Sequence, residues 1–190
     1  IVGEDLGTVP AEVRTSMKRH GVKRMFVVQF EAGSGHPPVG TPPEEAVASL
    51  NTHDMPPFAA YWNALDADLR QEMGLISADE VGAQRAQRNE LARALSAHLR
   101  RQGFLDNGAV DRLRSRKAGT GEALRALLEL LAHSPAHVAL VNLEDLWLEA
   151  QPQNVPGTSQ EKPNWRRRMR YTFDELRNHT ELDQTLERIH

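Results

Sequence analysis

Three short apolar runs, each partly β-branched, constrain the fold of this chain more than any other feature. They cover residues 25–30, 47–52 and 137–142, and none alternates strictly between apolar and polar positions. Such runs are typical of strands that are covered on both faces, as in a parallel sheet. We expect Ile1 and Val2 to be the end of a fourth strand.

Helical periodicity fills the intervals between these runs. We predict helices over residues 10–20, 57–70, 80–102, 106–116, 122–133 and 171–189. Leu91, Leu95 and Leu99 recur at four-residue spacing, which places them on one face of the longest helix. The alternation of strands and helices predicts an α/β fold, interrupted between residues 64 and 134 by a purely helical insertion.

The large apolar residues predict where the core lies. Trp62 and Trp147 stand within apolar patterns and are predicted core residues, whereas Trp165 stands in a polar loop, where it would stack on sugar or anchor the loop. The arginine run 166–168 is predicted to be a solvated face that pairs with acidic neighbours. One apolar stripe is expected on the helix over 57–70, formed by Phe58, Tyr61, Trp62 and Leu65.

Composition excludes several classes of function. Lysine and arginine total 23 against 26 aspartate and glutamate, a net charge of −3 that argues against nucleic-acid binding through phosphate contacts. The absence of cysteine excludes disulfides, thiolate zinc sites and a cysteine nucleophile, and it fits a reducing compartment, so we expect the cytoplasm. The apolar runs are too short to cross a bilayer, and no membrane partner is expected.

Other motifs point away from metals, nucleotides and serine nucleophiles. His133 and His137 are four residues apart, but Ser134 and Pro135 break any helix between them, so we predict no metal site. The sequence contains no GxGxxG, no GxxxxGK[ST] and no GxSxG. The first residues lack a methionine, a basic region and a long apolar segment, so we predict no signal peptide and interpret the chain as part of a larger protein.

Acidic residues directly follow three of the strand-like segments. In α/β barrels and open sheets, the carboxyl ends of parallel strands are where active sites are built. Acidic residues at these positions also serve as helix N-caps, and that alternative stays open for each of them. The acidic pairs and their neighbours are Glu4 and Asp5, His53 and Asp54, and Glu144 and Asp145.

Glu4 and Asp54 together suggest chemistry on sugars. Cleavage of a glycosidic bond needs one carboxylic acid to protonate the leaving oxygen and a second carboxylate to act as nucleophile or base. A strand-end glutamate in an apolar cleft could keep its proton near neutral pH. His53 could hydrogen-bond a sugar hydroxyl.

Five segments resemble the C-terminal part of the 4-alpha-glucanotransferases, the amylomaltases of glycoside hydrolase family 77. They are VGEDLGTVP at 2–10, NTHDMP at 51–56, VNLEDL at 141–146, QNVPGT at 153–158 and PNWRRR at 163–168. The segments occur in the family's order and span the chain. The resemblance implies the C-terminal half of a (β/α)8 TIM barrel, strands five to eight, with a helical insertion after strand seven. The implied divisions are 1–63, 64–134 and 135–190, the last holding strand eight, a glucan-site loop and a C-terminal helix.

The resemblance also implies the roles of five residues. Glu4 corresponds to the general acid/base, and Asp54 to the carboxylate that holds ring hydroxyls and stabilises the oxocarbenium-like transition state. His53 resembles a hydroxyl ligand, Asn154 a glucan-contacting position, and Asp5 a flanking residue that orients the acid or touches sugar. The implied substrate is a malto-oligosaccharide or α-glucan, with no metal and no cofactor.

The family's nucleophile is an aspartate in an Arg-x-Asp-His segment, which this sequence does not contain. We therefore expect this chain to be inactive alone, and its open sheet edges to favour self-association. Two alternatives stay open. One is an α-glucan hydrolase of the α-amylase group, and the other is a non-enzymatic α/β scaffold whose strand-end carboxylates do not converge.

Overall fold

The computed structural model describes residues 1–33, 35–114 and 116–189. In this part of the chain, three parallel strands are combined with nine α-helices, and a 3₁₀ helix, Leu143–Trp147, follows the last strand. The elements in chain order are α1 (Ala11–Arg19), β1 (Arg24–Val27), α2 (Val28–Glu31), β2 (Ala46–Ser49), α3 (Phe58–Asn63), α4 (Leu65–Glu72), α5 (Ala78–Arg101), α6 (Asn107–Arg114), α7 (Arg116–Ala132), β3 (Val138–Leu140), α8 (Phe173–Arg177) and α9 (Thr180–Ile189).

The sheet confirms the predicted α/β class. Its order is β1-β2-β3, and both neighbouring pairs are parallel. Val2 forms a single parallel bridge with Lys23. This bridge lies on the side of β1 opposite to β2, because Lys23 exchanges hydrogen bonds with residues 1 and 3 while Arg24 donates to Glu45. Four successive chain segments therefore lie side by side in sequence order, all running in one direction.

The strands are shorter than their apolar runs, and the prediction that residues 28–30 continue β1 is wrong. The chain turns into α2 at Val28, and the side chain of Gln29 becomes buried there. The Gln29 backbone N–H donates to the carbonyl of Leu50 at 3.0 Å, and its side-chain amide donates to that of Pro56 at 3.2 Å. β2 ends at Ser49, so a longer β1 would extend beyond its neighbour. The turn into α2 instead lets the backbone and side-chain amides of Gln29 reach the carbonyls of Leu50 and Pro56.

The single helix predicted over 57–70 is two helices. Ala64 lies between α3 and α4 in the left-handed region, with φ 56°, and is buried. The Asn63 side chain donates to the carbonyl of Ala59 at 2.9 Å and to the hydroxyl of Thr120 at 3.0 Å, which ends α3. Because the helix axis changes there, Leu65 leaves the predicted stripe and is 43% exposed.

One continuous cluster of buried apolar residues joins the sheet to the helices. Leu91, Leu95 and Leu99 of α5 are buried, as their spacing predicts. Trp62 is also buried, and it stacks on Phe58 with ring centroids 5.6 Å apart. Other members come from β1, β2 and α7, namely Phe26, Ala46, Ala48, Leu124, Leu127 and Leu131. Helix α7 packs on β2 and β3, α5 and α6 pack on α7, and α4 packs on α5. Helices α4 to α7 thus form a helical layer that meets the sheet mainly through α7, and the chain returns from it into β3.

The C-terminal region also differs from its prediction, because residues 171–189 form two helices. Thr172 and Glu175 form a capping box that starts α8. Helix α8 ends at Asn178, whose side chain donates to the carbonyl of Asp174 at 2.8 Å. Leu182 of α9 is buried. None of the helices that the structure describes is both long enough and apolar enough to span a membrane.

Candidate functional site

Asp54 is the centre of a polar group beyond the carboxyl end of β2. The amide of Asn154 donates a hydrogen bond to Asp54 Oδ1 at 2.6 Å across 100 residues of sequence. His53 Nε2 lies 3.3 Å from Asp54 Oδ2. The Asp54 side chain is still 45% exposed, so it is held from two sides and open on a third. Three of the five predicted site residues are thus joined through Asp54.

A buried polar network below this group fixes the loop that carries it. The amide of Asn51 donates to Asp145 Oδ2 at 2.9 Å, and the backbone N–H of Phe58 donates to Asp145 Oδ1 at 2.7 Å. The amide of Asn142 donates in turn to the side-chain oxygen of Asn51. The loop between Asn51 and Phe58, which includes Asp54, is therefore attached to the segment after β3 at both ends.

The sequence predicts Asp145 as one of the strand-end carboxylates, but it places Asn51 in a strand and does not predict its contact with Asp145. The signal was an amide residue that interrupts an apolar run just before a loop. Burial, together with the charge of nearby Glu144, raises the pKa of the Asp145 carboxyl from 3.8 to about 6, against the hydrogen bonds from Phe58 and Asn51. The fold therefore binds this proton more tightly than the unfolded chain does.

This raised pKa predicts a specific dependence of stability on pH. The contribution of Asp145 is complete below about pH 3.8 and is lost as pH rises through about 6, because the folded state must then bury a charge. The variant Asp145→Asn cannot ionise at this position. Because both proteins contain all the other carboxylates, the pH-dependent contributions of those groups cancel when the two free energies of unfolding are subtracted. We expect the free energy of unfolding of the natural chain, minus that of the variant, to fall by about 2 kcal/mol between pH 4.5 and 7.5. Urea titrations at several pH values measure this difference, and a constant difference would contradict the assignment.

The Asn154 loop is attached to a second loop, which contains Trp165. The Val155 N–H donates to the Asn164 side chain at 3.1 Å, and the Trp165 N–H donates to the Gln153 carbonyl at 2.8 Å. These bonds join two of the segments on which the family resemblance rests. The Arg167 side chain pairs with Glu149 at 2.9 Å, so this arginine does find an acidic neighbour, as the sequence predicts.

The three tryptophans divide as predicted between core and surface. Trp62 and Trp147 are 3% and 8% exposed, whereas Trp165 is 55% exposed. The indole of Trp165 stands beside His53, with ring centroids 5.7 Å apart and planes tilted by 41°. Both residues line a small cavity of about 150 Å³, and its wall also includes Gln153 and Glu144, which are hydrogen-bonded to each other at 2.7 Å.

A second cavity is lined by Asp54 itself. It measures about 430 Å³, and its wall includes Asn154, Pro56 and Asp66. Larger clefts exist elsewhere, but the one of about 800 Å³ lies between the loop around Val39 and the last turn of α5, away from the strand ends. The cavity of about 430 Å³ is therefore the space that a ligand of Asp54 would enter, and the smaller cavity lies beside its neighbour His53.

Glu4 lies at the same edge of the sheet but not in contact with Asp54. It follows the Val2 bridge, its side chain is exposed, and no hydrogen bond or ion pair to it occurs within residues 1–33, 35–114 and 116–189. Two strand spacings separate its segment from β2, which corresponds to about 10 Å. Glu4 and Asp54 thus both lie beyond the carboxyl ends of parallel segments, on either side of β1.

Asp5 has a different environment from its neighbour Glu4. It is 3% exposed, and its carboxylate accepts hydrogen bonds from Arg24 Nε at 2.7 Å and from the Met25 N–H at 3.0 Å. Burial opposes ionisation, but these bonds and the charges of Arg24 and Arg14 hold the pKa of Asp5 below its ordinary value. Asp5 therefore fastens the segment that carries Glu4 to the start of β1, which gives it a positioning contact.

Metal binding has no support in the part of the chain that the structure describes. No group of three or more histidine, aspartate or glutamate side chains there is arranged to hold a metal ion. His137 instead lies 3.2 Å from Glu44, and its other ring nitrogen lies 3.2 Å from Lys23. The side chains around Asp54 offer carboxylates, amides, one imidazole and one exposed indole.

Comparisons with known proteins agree on one family. A sequence model of the 4-alpha-glucanotransferase family, glycoside hydrolase family 77, matches residues 1–173. The chain is 35% identical over 172 residues to the 4-alpha-glucanotransferase of Mycobacterium tuberculosis H37Rv, covering 87% of this chain and 23% of that protein. It is 31% identical over 175 residues to the Haemophilus influenzae 4-alpha-glucanotransferase, covering 87% and 24%. The chain thus spans about a quarter of the length of these relatives.

Two solved structures resemble the fold. Amylomaltase from Corynebacterium glutamicum superposes with a TM-score of 0.79 at 24% sequence identity, over 100% of this chain and 28% of that one. Amylomaltase from Streptococcus agalactiae, in complex with acarbose, gives a TM-score of 0.59 at 19% identity, over 99% and 30%. At these identities the likeness shows the shared fold.

Proposed function

Because the chain belongs to the 4-alpha-glucanotransferase family, we propose that it builds the acid/base side of a glucan-transferring active site. The reaction is the transfer of α-1,4-glucan segments between malto-oligosaccharides by a retaining double displacement. The observation that carries this proposal is the Asp54 carboxylate, held by Asn154 and His53 beside an open cavity, with Glu4 exposed at the same edge of the sheet.

The proposed architecture is half of a (β/α)8 barrel. Parallel segments that lie side by side in sequence order are the arrangement of successive barrel strands. We infer that the Val2 segment, β1, β2 and β3 are strands five to eight. Helices α4 to α7 then correspond to the insertion after strand seven, between the divisions 1–63 and 135–190. The C. glutamicum likeness over the whole chain supports this assignment.

Glu4 is proposed to move the proton in both half-reactions. As an acid it protonates the glycosidic oxygen of the leaving glucan while a nucleophilic carboxylate attacks the anomeric carbon. As a base it then removes the proton from the 4-hydroxyl of an acceptor glucan, which displaces the enzyme carboxylate. The exposed position of Glu4 in this chain leaves room for both partners. Asp5 positions Glu4 through its contacts with Arg24 and Met25.

Asp54 is proposed to bind ring hydroxyls and to stabilise the positive charge that develops at the anomeric centre. Asn154 fixes one of its oxygens and His53 lies near the other, so the carboxylate is oriented before the substrate binds. Each partner keeps further hydrogen-bonding capacity for sugar hydroxyls. The acarbose complex of the S. agalactiae relative supports an oligosaccharide as the ligand of this site.

The proposed nucleophile lies outside these 190 residues, in the part of the family that this chain does not match. We therefore propose that the chain has no transferase activity alone. Exposed apolar side chains along β3, Val138 and Leu140, would be covered by the missing strands or by a second copy of the chain. Light scattering at high concentration distinguishes self-association from a clean monomer.

The test of this function uses maltotriose and resolves the products by chain length. One sample is the 190-residue chain, and the other is a fusion in which the preceding residues of the M. tuberculosis relative are joined to Ile1. We expect no turnover by the chain, and conversion of maltotriose into glucose and maltopentaose by the fusion. Glucose and maltose without longer products would support the hydrolase alternative. A fusion that is folded by circular dichroism yet neither binds nor converts maltotriose would support the scaffold.

A further inference from the structure

Trp165 has a backbone conformation that does not suit its side chain. Its φ is 60°, in the left-handed region that favours glycine and asparagine. The other two described non-glycine residues with positive φ, Ala64 and Leu148, each end a helix, where this conformation is common. Trp165 instead lies in a turn between irregular segments. A bulky residue in such a conformation is retained when its surroundings impose it, and this occurs most often at functional sites.

Core packing does not account for this strain. More than half of the Trp165 side chain is exposed, and His53 is the aromatic ring beside it. The turn itself is held by the bond from the Trp165 N–H to the Gln153 carbonyl and by the bond from the Val155 N–H to Asn164. These bonds involve the backbone of Trp165 or the side chain of its neighbour, and a glycine could make the same backbone bond. The indole is therefore dispensable for the turn.

The position of the indole matches the needs of a sugar site. A glucose ring presents apolar C–H faces and polar edges, and an aromatic face with polar groups at its rim complements both. The cavity beside Trp165 has that composition, with His53 on one side and the hydrogen-bonded pair of Gln153 and Glu144 on another. Asp54 lies directly beyond His53.

We propose that Trp165 is a sugar-stacking platform. One glucose ring of an α-1,4-glucan packs on its indole while a neighbouring glucose unit of the same glucan contacts Asp54. This inference rests on the proposed function and adds to it a residue that binds substrate without taking part in proton transfer. The left-handed backbone conformation of Trp165 keeps the indole beside His53 before the glucan binds. Little conformational entropy of the side chain is therefore lost on binding.

Intrinsic fluorescence tests the proposal directly, because the chain has three tryptophans and the other two are buried. The emission of Trp165 is obtained as the difference between the natural chain and Trp165→Phe. We expect this difference spectrum to shift to shorter wavelength as maltoheptaose is added, in the 190-residue chain and in the fusion. Cellotriose, with the same hexose but β-linkages, serves as the control ligand.

Affinity measurements separate the ring from the backbone. By calorimetry with maltoheptaose, we expect Trp165→Ala and Trp165→Gly each to bind about tenfold more weakly, and Trp165→Phe to recover part of the loss. Trp165→Gly also removes the strain, so its melting temperature should equal or exceed that of the natural chain. A lower melting temperature for Trp165→Gly would assign the indole to loop anchoring and overturn the proposal.

The outcomes distinguish this inference from the function on which it rests. If maltoheptaose binds but the Trp165 emission is unchanged and Trp165→Ala binds equally well, the stacking role is wrong and the proposed function stands. If neither the chain nor the folded fusion binds maltoheptaose, both are wrong.

Discussion

Glu4→Gln is expected to lower the rate of glucan transfer by the fusion about 10³-fold while leaving the affinity for maltotriose nearly unchanged. Glutamine has the size of glutamate but neither donates a proton to the leaving oxygen nor removes one from the acceptor. Glu4 is exposed and has no partner among the described residues, so its replacement should not disturb the fold. Initial rates of glucose release and calorimetric affinity measure the two quantities.

The matched control is Glu12→Gln, which changes an exposed glutamate in the first turn of α1 and should leave the transfer rate unaltered. A second measurement tests the role itself. A glucosyl fluoride donor needs no acid for departure of its leaving group, and azide needs no base to act as acceptor. Together they should restore much of the turnover of Glu4→Gln. A variant that stays inactive under these conditions would have lost substrate positioning, and Glu4 would not be the acid/base.

Asp145→Ala is expected to lower the free energy of unfolding by about 3 kcal/mol, the largest stability effect that we predict. The substitution leaves two buried donors, the Phe58 N–H and the Asn51 amide, without an acceptor, and each unsatisfied group costs about 1–3 kcal/mol. Relief from burying a carboxylate offsets part of this cost at neutral pH, so the loss should be larger near pH 5.

Urea unfolding of the 190-residue chain at pH 5 and pH 7.5 measures this effect. Asp183→Ala is the matched control, because Asp183 is an exposed aspartate in the first turn of α9 and its loss should cost about 0.5 kcal/mol or less. An equal, small effect of both substitutions would show that the network around Asp145 does not support the loop.

The sequence predicts the order of strands and helices well, and it fails where hydrogen bonds between distant segments decide the outcome. The leucines of α5 announce its buried face, because four-residue spacing is a local property. The break at Ala64 has no such local signal, since it depends on Asn63 reaching Thr120 in another helix. In the same way, α2 replaces the end of a strand because Gln29 finds acceptors at Leu50 and Pro56.

The site divides along the same line. Strand-end carboxylates can be found by reading along the chain, and Glu4 and Asp54 were found in this way. The contact between Asp54 and Asn154 spans 100 residues and could be expected only from the family resemblance. The sequence also does not distinguish the surroundings of Asp5 and Glu4, although one carboxylate is buried and bonded to arginine while the other is exposed.

The hydrogen bond between the Phe58 N–H and Asp145 joins two residues that are 87 positions apart, and the segment between them contains helices α4 to α7. Because this bond holds both ends of the segment, helices α4 to α7 form a unit whose length can vary. Each doubling of the length of a closed loop raises the entropic cost of closing it by only about 0.6 kcal/mol, while the positions of both ends stay fixed. Insertions and deletions among α4 to α7 can therefore accumulate during evolution without moving Asp54, provided that the core contacts with the sheet persist. The bond between Phe58 and Asp145 thus separates helices α4 to α7, which are free to diverge, from the loop around Asp54, which must keep its geometry.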